Sequence, residues 1–129
     1  MPPVMLGLLL VAFGLRVVLL DASSFWLDEL IQTKLAATPL RHFLREVFLH
    51  ANMPLDILLT KALLKLGGQD AWLRLPAALA GTLGVAVIYR LARDRLEDPT
   101  PWLAALLLAL SPLALTYSRE VRPYSLMLL

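Results

Sequence analysis

Cysteine is absent from the 129 residues, which excludes disulfides and thiol chemistry. Charge is scarce too: 17% of residues are Asp, Glu, Lys or Arg against 59% hydrophobic, too apolar a balance for a soluble domain. A water-soluble chain of this length has too little core to bury that surface, whereas a bilayer covers it. The net charge is only +2. Its basic groups are scattered among Leu and Ala rather than gathered in a stripe, so the footprint of a nucleic-acid binder is missing. No internal repeat or low-complexity tract is present.

Also missing is a positive start. Met1-Pro2-Pro3 carries no Lys or Arg, and Leu20-Asp21-Ala22 has Leu where a cleavage site needs a small residue. The apolar run Val4 to Leu20 is therefore read as a retained span, 17 residues long, short but adequate for a hydrocarbon core of roughly 30 Å. Arg16, one turn from its end, is expected to snorkel to the headgroups. Leu75 to Ala92 and Trp102 to Ser118 are the second and third spans. Ser125 to Leu129 is apolar where the sequence stops, which suggests a truncated fourth.

Two segments read instead as amphipathic helices. In Pro54 to Leu66, residues Leu55, Leu58, Leu59, Ala62, Leu63 and Leu66 fall on one helical face, with Asp56, Lys61 and Lys65 elsewhere. In Pro39 to His50, Thr38 is a fitting N-cap and Leu40, Phe43, Leu44, Val47 and Phe48 line one side. Each lies flat in the membrane interface or packs on neighbouring protein. The expectation is an all-α polytopic membrane protein with spans over 4–20, 75–92 and 102–118 and a long first external loop, residues 21–74. The short connector Arg93 to Pro101 adjoins Arg90, Arg93 and Arg95, so positive-inside counting puts it in the cytoplasm. Long loops translocate largely regardless of charge, so the cations of 21–74 do not oppose this.

The chemistry-bearing residues sit just beyond span ends. Phe25-Trp26-Leu27-Asp28-Glu29 follows the first run, and Ser118-Arg119-Glu120-Val121-Arg122-Pro123-Tyr124 follows the third. Charges so close to a bilayer are costly and call for a reason. On one face they can form one site. Charges of a transporter would sit mid-span, whereas a non-catalytic scaffold or membrane fragment would also fit this length.

These residues resemble a family. Trp26-Leu27-Asp28-Glu29 looks like the acidic motif in the first external loop of GT-C glycosyltransferases, the polytopic enzymes that include protein O-mannosyltransferases and aminoarabinose transferases. Asn52-Met53-Pro54-Leu55, Arg74-Leu75-Pro76-Ala77-Ala78-Leu79-Ala80-Gly81, Ser111-Pro112 and Tyr117 to Tyr124 continue the likeness in order, as the opening part of a longer enzyme. Asp56 stands where the family often has Tyr. Met53 replaces a common His, which removes one candidate metal ligand.

The resemblance implies transfer of a sugar from a polyprenyl-phosphate donor to a lipid, glycan or protein acceptor, at the external or periplasmic face of the plasma or inner membrane. Single displacement at the anomeric carbon needs a base near the acceptor hydroxyl. The departing lipid phosphate needs no acid partner, and Arg meets its charge best. Asp28 is the candidate base, or an acidic residue favouring a first helical turn. Glu29 is the second catalytic candidate, or a positioning partner. Arg119 and Arg122 are candidate phosphate holders or interface anchors. Glu120 orients the acceptor, binds a divalent ion or pairs with an arginine. Tyr124, like Tyr117, stacks on a sugar or anchors the interface. A divalent metal is the one cofactor considered, with Glu120 and His50 as candidate ligands, and no organic cofactor is expected. Trp26, Trp72 and Trp102 read as interface anchors. Three spans leave a polyprenyl groove open to bulk lipid, so residues 1–129 alone are not expected to transfer sugar.

Overall fold

The computed structural model describes residues 3–18, 20, 27–39, 42, 54–68, 70–121 and 124. Among these residues six helices form: α1 (Pro3–Val17), α2 (Leu27–Ala37), α3 (Pro54–Lys65), α4 (Asp70–Arg93), α5 (Thr100–Leu110) and α6 (Pro112–Tyr117). No strand occurs among the described residues. All but a few positions of the amphipathic segment expected over 39–50 lie outside them.

Helix α4 is the axis. Its 24 residues reach about 36 Å at 1.5 Å per residue, and Ala71–Arg93 is long and apolar enough to cross a membrane. It begins earlier than the apolar run implies, so Arg74 lies inside the helix rather than in the loop before it. Pro76 removes one backbone hydrogen bond near that end. Helices α1 and α5 pack along α4 around Met5, Ala12, Val85, Tyr89, Ala105 and Ala109. Alanines at the contact let backbones approach closely, the usual means of packing helices in lipid. Tyr89 and Trp102 meet with ring centroids 4.6 Å apart and planes tilted by 51°, near the Arg93–Thr100 connector. The outward surface is leucine, including Leu6, Leu10, Leu83, Leu103, Leu107 and Leu110. Such a surface suits lipid and not water.

The run from Trp102 to Ser118 is two helices rather than one. Proline at 112 has no N–H to continue α5 and drives the residue before it to extended backbone. Ser111 accordingly has φ −59° and ψ 120°, and its Oγ accepts from the Ala114 N–H at 3.4 Å, capping α6.

Helices α2 and α3 pack on each other beside the bundle, around Ala36 and Ile57. The amphipathic pattern of α3 is present, with an unexpected facing. Leu55, Leu58 and Leu66 are exposed, while Asp56 and Thr60 are buried. Gln32 Nε2 donates to the Asp56 carboxylate. Lys61 Nζ donates to Ala36 O at 2.8 Å and to Thr38 O, satisfying carbonyls that the end of α2 leaves open. Gly67, at φ +76°, closes α3: its N–H reaches Leu64 O at 3.1 Å and the Gly68 N–H reaches Leu63 O at 3.0 Å.

Candidate functional site

The first turn of α2 carries Asp28 and Glu29, where carboxylates favour the helix dipole. Adjacent helical positions point about 100° apart, and the two residues separate accordingly. Asp28 is exposed, whereas Glu29 is 1% exposed. The Glu29 carboxylate faces Arg74 on α4, itself 2% exposed. Arg74 Nε donates to Oε1 at 3.1 Å and Nη2 to Oε2 at 2.9 Å, a fork-on-carboxylate pair. The third Arg74 donor, Nη1, goes to Leu20 O, where the chain leaves α1. Glu29 Oε1 also accepts the Val121 N–H at 2.7 Å.

That last bond joins the two charged clusters. Residues 92 positions apart in the chain meet at one end of the bundle, opposite the Arg93–Thr100 connector. Arg74 was legible as the opening residue of a family element beside the second span, without a role in the site. Its signal in retrospect is charge complementarity between two span ends, one with Glu29 and the other with Arg74.

Behind this pair lies a second junction. Arg16 does not snorkel outward: it is fully buried. Its Nη1 reaches back to Ala12 O at 2.9 Å and its Nε donates to Ser118 Oγ at 3.2 Å. The reason is Gly81. A Cβ there would overlap Ser118 Oγ and stand 2.9 Å from Arg16 Nε, so only glycine lets α4 close over both residues. Arg119 Nη2 donates to Leu15 O, and Arg119 is half-buried rather than turned to solvent. Arg16 Nη2 and Arg119 Nε are buried without a hydrogen-bond partner. Glu120 is half-buried, and Tyr124, exposed, meets the Tyr117 ring at a 52° tilt with centroids 4.7 Å apart.

The structure thus joins Glu29 to the 118–121 segment through the Val121 N–H and adds Arg74 and Arg16, with exposed Asp28 the neighbour of Glu29 in α2. Arg122 and His50 lie outside the described residues. Among those described, no three His, Asp or Glu side chains gather. A donor set for a divalent ion is not assembled among them.

Among the described residues the chain is helical and leucine-surfaced, with one helix long and apolar enough to cross a membrane, the make-up of a membrane protein. The profile of the dolichyl-phosphate-mannose-protein mannosyltransferase family matches residues 50–129. The chain belongs to that family. No curated protein and no solved structure matches it.

Proposed function

We propose that this chain forms the acceptor-activating end of a membrane glycosyltransferase. The enzyme moves mannose from a polyprenyl-phosphate carrier to a hydroxyl acceptor at the external face of the cell membrane. One observation carries the reading: the Glu29–Val121 bond gathers both charged clusters at one end of the bundle, with exposed Asp28 next to Glu29. Family membership supports the sugar and the class of donor.

In the displacement, the acceptor oxygen bonds the anomeric carbon as the bond from that carbon to the phosphate oxygen breaks. The acceptor proton goes to Asp28. Phosphate leaves as an anion, so no acid is needed. One base and arginine charge suffice, unlike the two carboxylates of most glycoside hydrolases. Glu29 holds position rather than taking the proton, because both its oxygens already accept from Arg74 and Val121. Arg119 and Arg122 answer the phosphate charge, with Glu120 and Tyr124 lining the acceptor side.

Membranes carrying the full-length protein are expected to transfer mannose from polyprenyl-phosphate mannose with inversion at the anomeric carbon. Transfer from a nucleotide sugar with none from the lipid donor would replace this reading with another donor class.

Facing is tested separately. Because these residues contain no native cysteine, single cysteines at Lys34, Thr100 and Tyr124, all exposed, report sidedness to an impermeant thiol reagent in intact cells. Positions 34 and 124 should label and 100 should stay protected. The opposite pattern puts the site in the cytoplasm.

A further inference from the structure

We propose that Arg74 is a positioning residue for sugar transfer, holding Asp28 in register with the 118–121 segment through the Glu29 carboxylate. The inference rests on reading Asp28 as the base.

Four parts of the chain converge on this guanidinium. It sits on α4, grips Glu29 of α2 by two donors, reaches Leu20 after α1, and shares Glu29 Oε1 with the Val121 N–H that follows α6. Among the described residues, helix α2 packs chiefly on α3 and supplies no side chain to the apolar core of α1, α4 and α5. The Glu29–Arg74 pair ties it to the bundle one residue from Asp28.

The geometry sets the sensitivity. A helix with side chains has a radius of roughly 5–6 Å, so turning α2 by about 10° carries the Asp28 carboxylate about 1 Å. A displacement of about 1 Å can cost about 10²-fold in rate. An Arg fork fixes both the distance and the rotation of a carboxylate, whereas Lys fixes only a point. Arg74 touches neither reacting atom in this scheme; it acts through Glu29.

The test uses the full-length protein in lipid, with Arg74→Gln, Arg74→Lys and Asp28→Asn measured side by side. Turnover per folded molecule and donor KM are read together with the distance between spin labels on Lys34→Cys and Thr116→Cys, both at exposed positions. Arg74→Gln should lower kcat by about 10²-fold, leave donor KM unchanged and broaden the label distance. Arg74→Lys should fall between it and the native protein. If Arg74→Gln does not fold, the folded fraction of Arg74→Lys decides by the same two readouts. Native kcat per folded molecule, or a label distance as narrow as in the native protein, would show that Arg74 only stabilises the fold. Asp28→Asn should keep the native distance while losing turnover. Turnover retained in Asp28→Asn removes Asp28 as the base, and the label distance then still decides whether Arg74 sets the register of α2.

Discussion

Asp28→Asn in the full-length protein is expected to lower turnover by roughly 10²–10⁴-fold, the range associated with losing a positioned proton acceptor. The substitution keeps the size and polarity of the side chain. Asp28 is exposed at the first turn of α2, so any loss of thermal stability should be small beside that of Glu29→Ala. Donor KM should also hold, because the proposed contact of Asp28 is with the acceptor. Initial-rate kinetics against donor and acceptor, normalised to folded protein, make the measurement. A variant with native kcat would exclude Asp28, and the proton would need another destination. Glu29 is a poor substitute, since Arg74 and the Val121 N–H occupy its oxygens.

Glu29→Ala should behave in the opposite way, acting first on stability. It leaves the Arg74 guanidinium buried without its counter-charge and takes the acceptor from the Val121 N–H. Removing one partner of a buried ion pair costs about 3–5 kcal/mol, a large part of the stability of an ordinary domain. The expected result is a clear fall in the unfolding temperature in detergent and in the yield of folded protein. Glu29→Gln keeps an acceptor oxygen for one of the donors and should lose less. Two variants as stable as the native protein would mean that the contact is not made in the membrane. Neighbouring carboxylates thus predict different losses, chemistry at 28 and architecture at 29, and the contrast follows from the 100° between successive helical positions.

Much of the architecture was legible because its causes are local. Apolar runs marked the helices that became α1, α4 and the α5–α6 pair. The 3.6-residue repeat of Leu55, Leu58, Leu59, Ala62, Leu63 and Leu66 marked α3. Ser111-Pro112, a family element in the sequence, ends one helix and caps the next within a run that is continuous by hydropathy alone. The face that α3 would bury was likewise not set by its own pattern. Its polar side turns inward because Gln32 and the end of α2 supply partners for Asp56 and Lys61.

For the candidate site, the sequence by itself determined the ingredients: two charged clusters, each just past an apolar segment, and a surface that belongs in lipid. Those follow from composition and from distance along the chain. Tertiary structure alone decided the assignments among them. Glu29 meets Arg74 across 45 positions and Val121 across 92, and Arg16 meets Ser118 across 102. Arg16 was expected at the headgroups because snorkelling is the best a lone span can offer an arginine. Packing against α4 at Gly81 gave it interior acceptors instead. A buried charge takes its partner from whichever element packing brings beside it, and hydropathy, read along one segment at a time, carries no record of that neighbour.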